Sequence, residues 1–425
     1  MTFYHWLVVI IASAGWLFDC MDQRLFILAR ESALKELLGS DAAAQAEVKK
    51  FIGYATTSMI LGWATGGIVF GMLSDKWGRV KTMVATLLVY SGFTGLCGFA
   101  QGWLDFILYR FLVGLGVGGM FGAATTLVAE SVPGQFRAVA LGSLQALSAT
   151  GNILGSLISL AIPPGEANFF SHFAGWRVLF AVGILPALLV IPIVFILKEP
   201  ESWLKAKAEA ASGVTEKKVG SPVELFQDAR WRRNSIIGLL LGVSGMIGLW
   251  GIGFFSPELI STALKGAPQA TVDTVRGWGT ALQDLGAFVG MLTFTYVAST
   301  FSRRLAFLGA FILCLATTVF VFLSLKSATD AYWMLPMMGF AQLAVFAGYS
   351  IYFPELFPTR LRGTGVGFCY NTVRYLAAPA PTLFGYLATL MPFRTAAVIM
   401  SSVFLVGMIT LIWAPETKGK ELPEG

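Results

Sequence analysis

The fold class this sequence predicts is an all-α membrane protein of twelve transmembrane helices in two pseudo-symmetric six-helix bundles, and three observations predict it. The 425 residues are 56% hydrophobic and 13% charged, with a mean hydropathy of +0.71, whereas soluble globular domains carry about 25% charged residues. Apolar stretches of the roughly 20 residues that a helix needs to cross the hydrocarbon recur along the whole chain, separated by short polar breaks. Within each stretch the apolarity is continuous and does not alternate with period two, which excludes the strands of a transmembrane barrel.

The spans read as 4–30, 51–73, 80–100, 103–128, 138–161, 174–197, 234–260, 276–299, 304–325, 331–353, 364–388 and 394–413. The first continues into Asp19 and Asp22 without a small-residue cleavage site, so no cleavable signal peptide is expected. It carries Asp19, Asp22, Gln23 and Phe26 on one helix face. A charge at mid-membrane costs about 2.5–3.5 kcal/mol on insertion scales, so that face must meet a partner or an aqueous cavity. Segment 31–50 mixes Leu34, Leu37 and Leu38 with charges and reads either as a short amphipathic surface helix or as a solvated loop.

Arg110 in the fourth span lies at the depth of Asp22 in the first, which makes the two candidate partners. They read either as a permanent ion pair or as one that opens when Asp22 takes a proton. In the second half Asp284 and Arg374 form a similar arrangement, with Gln283 and Asn371 beside them. Gln145 and Asn152 in the fifth span, and Gln342 and Tyr349 in the tenth, either line the same cavity or hydrogen-bond between helices.

The polar linker 198–233 divides the chain into 1–197 and 234–425, and 221–233 within it suggests a surface helix. An internal repeat supports the division. Glu130, Pro133 and Arg137 recur 225 residues later as Glu355, Pro358 and Arg362. A second echo sets Glu199-Pro200-Glu201-Ser202 against Ala414-Pro415-Glu416-Thr417. Lys and Arg in the connections number eighteen on the side of the linker and termini against eight opposite, so both termini are expected in the cytoplasm.

That bias also accounts for the net charge of +6 without a nucleic-acid partner. Cys20, Cys97, Cys314 and Cys369 lie in apolar segments, and His5 and His172 near span ends, so neither disulfides, a metal site nor a cofactor is expected. No nucleophile triad and no phosphate-binding glycine loop points to an enzyme.

The run from Gly71 through Asp75 and Gly78 to Arg79 and Lys81 resembles the signature loop of the major facilitator superfamily. Arg110 with Gly114, Gly116 and Gly118 is similar to that superfamily's Arg-then-glycine motif. The Glu130/Arg137 and Glu355/Arg362 pairs, with the ending Pro415-Glu416-Thr417-Lys418-Gly419, resemble sugar and organic-ion porters. Gly15 to Asp22 resembles the paired-Asp motif of aromatic-acid and sialate proton symporters, from which Cys20 and Met21 depart. Tyr370, Asn371, Arg374 and Tyr375 resemble an Asn-x-x-Arg stretch of organic-anion carriers. The loop 299–304 keeps Arg303 and Arg304 but lacks the Gly/Asp pattern of its counterpart.

The resemblance spans the chain and implies the major facilitator fold, with substrate near the midplane. It implies a cytoplasmic gate of Asp75, Arg79, Glu130, Arg137, Glu355 and Arg362, and proton coupling at Asp22, Asp19 and Asp284. Substrate would meet Arg374, Asn371, Arg110, Gln145, Gln342, Tyr370 and Tyr349. The function expected is proton-coupled symport of a small carboxylate by a plasma-membrane (cell inner membrane) monomer. The alternatives are a sugar or polyol facilitator or proton symporter, and organic-cation efflux; Arg374 favours the anion, because a guanidinium fork matches a carboxylate.

Overall fold

A computed structural model describes residues 1–41, 48–165, 172–212 and 219–424. Its helices are α1 (Phe3–Leu38), α2 (Val48–Trp77), α3 (Arg79–Cys97), α4 (Trp103–Ser131), α5 (Gly134–Ala161), α6 (Gly175–Val182), α7 (Val190–Ile196), α8 (Glu201–Ala211) and α9 (Glu224–Gln227). The second half holds α10 (Ala229–Gly251), α11 (Ser256–Ala263), α12 (Gln269–Thr300), α13 (Arg303–Ser324), α14 (Ala328–Leu356), α15 (Arg362–Ala377), α16 (Ala380–Leu390), α17 (Phe393–Met400) and α18 (Val403–Thr410).

Ten stretches among the described residues are long and apolar enough to cross a membrane. The other two of the twelve spans are α5, which carries Arg137, Gln145 and Asn152, and α15 with α16, which carries Arg362, Asn371 and Arg374 and breaks at Pro379. Their polarity is what lowers their hydropathy, and it is also what makes them part of the site. The sixth span bends through a 3₁₀ turn at Leu185–Leu189, where Pro186 removes an amide donor.

Two local readings change. α1 runs to Leu38, so 31–38 continues the first span, with Lys35 paired to Glu31 one turn back at 2.6 Å, while 42–47 lies outside the described residues. The linker contains the two helices α8 and α9, and the seventh span begins at Ala229 under an Asp228 cap. His5 completes a capping box with Thr2 at the start of α1.

The repeat reaches deep into the packing. In the first half a Cβ added at Gly62, Gly66 or Gly114 would strike the carbonyls of Phe111, Leu115 and Met59, so α2 and α4 touch backbone to backbone. In the second half Gly286, Gly290 and Gly339 meet the carbonyls of Pro336, Phe340 and Gln283 in the same way, between α12 and α14. Each glycine and the carbonyl it meets recur 224 or 225 residues later. With no Cβ to separate them, the helices gain van der Waals contact that lipid cannot compete for.

Between the halves, α2 and α15 approach at Gly71 and Gly363, whose backbones leave no room for a side chain. Ser350 on α14 donates to the Leu141 carbonyl on α5 at 3.0 Å. Both described ends lie with the linker at this same end of the bundle. Tyr4 accepts from the Lys198 amide at 3.0 Å, and the Pro423 carbonyl accepts from Arg362 at 3.4 Å.

Candidate functional site

Two polar centres stand out among the buried residues. The first, at the linker end, is an ionic lock. Glu130 accepts from Arg79 Nε at 2.9 Å and Nη2 at 2.8 Å, and also from Arg362 Nη1 of the other half at 2.5 Å. Side chains of all three are fully buried. Arg79 Nη2 also crosses the interface to the Thr359 carbonyl at 2.7 Å. Asp75 accepts from Arg79 Nη1 at 2.9 Å, from the Gly363 and Thr364 amides at 3.0 and 2.8 Å, and from the Thr364 hydroxyl at 2.6 Å. An acid of the first half thus caps a helix of the second, where first-turn amides have no intrahelical acceptor.

The expected Glu130/Arg137 and Glu355/Arg362 partners do not pair with one another. Arg137 Nε donates to the Ala129 carbonyl at 2.9 Å, and Arg362 Nε to the Pro354 carbonyl at 3.0 Å. The reason lies in the motif itself. Four residues beyond Ala129 and Pro354 stand Pro133 and Pro358, which have no N–H to close the helical bond. The arginine four residues further on supplies the missing donor, once in each half. Glu355 is taken by Arg303, at 3.2 Å from Nε and 2.9 Å from Nη2, which repeats the Arg79–Glu130 fork.

The second echo is corrected by two residues. Glu199, not Glu201, accepts from the amides of Arg79 at 2.7 Å, Val80 at 3.0 Å and Lys81 at 3.3 Å, capping α3. Glu416 does the same for α13 through the amides of Arg303 at 3.1 Å and Arg304 at 3.2 Å, with the Ser302 hydroxyl. Burial pushes the Glu199 carboxyl above the ordinary range despite its amide donors. Burial acts the same way on Glu416, but the Ser302 hydroxyl and the Lys418, Arg304 and Arg303 amides outweigh it and hold that carboxyl below the ordinary range.

The second centre is at mid-span. Asp22 and Arg110 pair at 3.7 Å, both fully buried, as their matched depths predict. Thr94 donates to Asp22 at 2.7 Å, and Arg110 lies over the rings of Phe26 at 5.0 Å and Phe180 at 4.9 Å. Asp19 is fully buried beside them, with neither carboxylate oxygen hydrogen-bonded among the described residues.

Asp284 and Arg374 do not pair. Asp284 meets Arg24 of the first half at 3.5 Å. Arg374, 5% exposed, has no carboxylate partner among the described residues. Its Nη1 donates to the Tyr370 carbonyl at 2.7 Å and to Asn371 Oδ1 at 3.0 Å, its Nε has no hydrogen-bond partner among the described residues, and its guanidinium lies 3.9 Å from the Trp63 ring centroid. With Thr57, Ile60, Leu61, Trp63, Trp250, Ala377 and Ala378 it lines a cavity of 130 Å³. Tyr370 stacks on Phe121 of the first half at 3.8 Å.

Two predicted lining residues serve helix packing instead. The Tyr349 hydroxyl donates to the Leu241 carbonyl at 2.7 Å, and Gln342 donates to Thr318 at 3.0 Å. Gln145 is buried on α5, its Oε1 without a hydrogen-bond partner among the described residues. Sequence reasoning passed over Arg24, although a charge inside a span is itself a signal, and over Trp63, which nothing but the fold brings to Arg374.

A model of the Major Facilitator Superfamily matches residues 13–380. The chain is 29% identical to a cis,cis-muconate transport protein of Acinetobacter baylyi, over 84% of this chain and 83% of that one. It is 28% identical to the sialic acid transporter NanX of Escherichia coli, over 82% and 80%. The solved structure of the proton:xylose symporter XylE superposes with a TM-score of 0.79 at 18% identity, covering 99% of this chain and 98% of that one, which is a likeness of fold.

Glu130→Gln should leave Arg79 and Arg362 buried without their shared anion, and breaking a buried pair costs about 3–5 kcal/mol. The linker end should then open, so that a cysteine introduced for the buried Ser74 reacts with an impermeant thiol reagent; unchanged labelling would contradict the lock. Glu199 and Glu416 should answer pH with opposite signs. Replacing Glu416 by Gln should lower thermal stability at neutral pH, with the difference from the parent fading as pH falls through the depressed Glu416 value. Glu199→Gln should be neutral or stabilising above the raised Glu199 value and converge with the parent below it. Shifts of one sign for both, in melts carried from pH 8 down to about 3 so that the depressed Glu416 value is crossed, would refute the assignment.

Proposed function

The chain belongs to the major facilitator superfamily, and we propose that within it this protein is a proton-coupled symporter of a small organic anion, a carboxylate, in the bacterial inner membrane. The observation that carries the substrate class is Arg374: a buried guanidinium with no carboxylate partner among the described residues, opening on a cavity walled by Trp63 and Trp250. A buried charge demands compensation. A carboxylate on an apolar or aromatic body supplies both the anion and the matching surface, and a guanidinium can receive it bidentately. Relatives named for muconate and sialic acid transport support the same class.

In this reading the linker end faces the cytoplasm, as the charge bias of the connections suggests. The Glu130 lock is then a cytoplasmic gate, closed here, and chains 1–197 and 234–425 are the two bundles that rock about the site with 198–233 as linker. Proton exchange at Asp22 opens and closes its pair with Arg110, with Asp19 as the second proton site beside it. Coupling requires that protonation favour one facing state over the other, since an equilibrium shifts only by differential affinity. The carrier acts as a monomer.

Arg374→Ala should abolish binding of anionic solutes to purified, folded protein, and Arg374→Lys should restore little, because a point charge does not reproduce the fork. Undiminished binding of carboxylates by Arg374→Ala in calorimetry would place the anion site elsewhere.

Asp22→Asn should lose pH-driven accumulation in proteoliposomes yet keep solute counterflow, because an amide resembles a protonated carboxyl and does not cycle. Asp19→Asn and Asp284→Asn measured alongside apportion the coupling. Uphill uptake unimpaired in Asp22→Asn would remove it from that role.

A further inference from the structure

The guanidinium of Arg374 lies 3.9 Å from the ring centroid of Trp63, and the two side chains wall one cavity. α2 supplies Trp63 from the first half, and α15 supplies Arg374 from the second. Both are held from behind. A Cβ added at Gly114 or Gly118 on α4 would strike the Trp63 amide nitrogen at 2.8 Å or its carbonyl oxygen at 2.0 Å, so bare helix backbone clamps Trp63. A Cβ added at Gly67 would strike the Asn371 side chain at 2.0 Å, so α2 leaves the room that Asn371 fills, and Asn371 fixes Arg374 Nη1 at 3.0 Å.

Each of the two carries an unmet donor. Nη1 makes both of the hydrogen bonds that Arg374 forms among the described residues, and its Nε is buried without a partner among them. Trp63 is 6% exposed, and its indole Nε1 is likewise buried without a partner among the described residues. Stacking does not consume that N–H, because the cation covers the face of the ring and the N–H lies in its plane at the rim. A buried indole N–H normally finds an acceptor, and a buried donor left unmade is costly. Two such donors on touching side chains at one cavity point to a shared acceptor. The rest of the wall is poorer in buried donors: Ile60, Leu61, Ala377 and Ala378 have none in their side chains, Thr57 is exposed and Trp250 is half-buried.

We infer that the indole N–H of Trp63 is a second donor to the substrate carboxylate, which it shares with the guanidinium of Arg374. This rests on the anion reading of Arg374. An ionised carboxylate only accepts, at about four lone-pair sites, and a guanidinium fork fills two of them. In an otherwise apolar cavity the remaining lone pairs need a donor, and an indole supplies one that is uncharged and has no acceptor function. The fork comes from the second half and the indole from the first, so the anion is held by both. An ammonium group in the same place would face two donors and no acceptor, so Trp63 is a specificity-determining residue that adds to the selection of anions over cations.

The test is calorimetric titration of purified protein with benzoate, cis,cis-muconate and sialic acid, carrying forward whichever the parent binds most tightly. Trp63→Phe keeps an aromatic face for Arg374 and removes the donor, and it should weaken that carboxylate roughly ten- to a hundredfold, the worth of a hydrogen bond to a charged group. The same loss is expected when Trp63 is replaced, by amber suppression, with the isosteric tryptophan analogue that carries sulfur in place of the indole N–H, which keeps the packing. Parent-like binding by the sulfur analogue, whatever Trp63→Phe does, overturns the inference and leaves Arg374 as the anion site. An Arg374→Ala variant that binds the carboxylate as the parent does, or a parent that binds none of the three, overturns the underlying reading instead.

Discussion

One carboxylate holds the linker end together. Glu130 satisfies Arg79 from its own half and Arg362 from the other, with all three side chains out of reach of water. Two guanidiniums against one acid would leave a net positive charge, and Asp75 answers it by pairing with Arg79 while capping α15. The close approach of Gly71 to Gly363 belongs to the same arrangement, because a short aspartate on α2 reaches the α15 amides only if the backbones nearly touch. Separating the halves would strip several buried groups of their partners at once, so the cost of parting this end falls on all of these contacts together.

The two halves repeat this chemistry unequally. The fork of Arg79 on Glu130 returns as Arg303 on Glu355, and the helix-capping Glu199 returns as Glu416. The proline that removes a helical donor and the arginine that replaces it occur in both. What does not return is Asp75: the stretch 299–304 offers no acid to reach across the interface. The lock is therefore built from one side, with the carboxylates Asp75 and Glu130 in the first half and their cross-interface donors in the second.

How far the sequence was legible depended on range. Spans, the linker and the 225-residue repeat are local or periodic, and they could be read directly because hydropathy and spacing carry them. Matching depth along two helices was enough to pair Asp22 with Arg110. The same argument failed for Asp284, because depth does not say which helix is the neighbour, and Arg24 was nearer than Arg374. Glu130 and Arg137 were recognised together, yet their roles were separable only once Pro133 was counted as a missing donor for Ala129. Glu201 looked like the equivalent of Glu416 by alignment with Pro200, whereas the α3 amides select Glu199. The Trp63 face beneath Arg374 depends on the packing of α2 on α15, which no spacing rule encodes.

The linker is anchored at both ends. Trp203 donates to the Asp75 carbonyl at 2.6 Å beside the first half of the lock, and Gly220 donates to the Arg360 carbonyl at 2.9 Å, where Arg360 also pairs with Glu224. With 203–211 held in α8, the segment from 203 to 220 reaches at most about 45 Å. Connectivity therefore sets a ceiling on the separation of the two anchors and fixes no single spacing below it. Its effect is on concentration: two surfaces on one leash meet again far more often than two free molecules would. Cutting the chain between the anchors would leave every contact of the lock intact and change only how fast it finds its partner again.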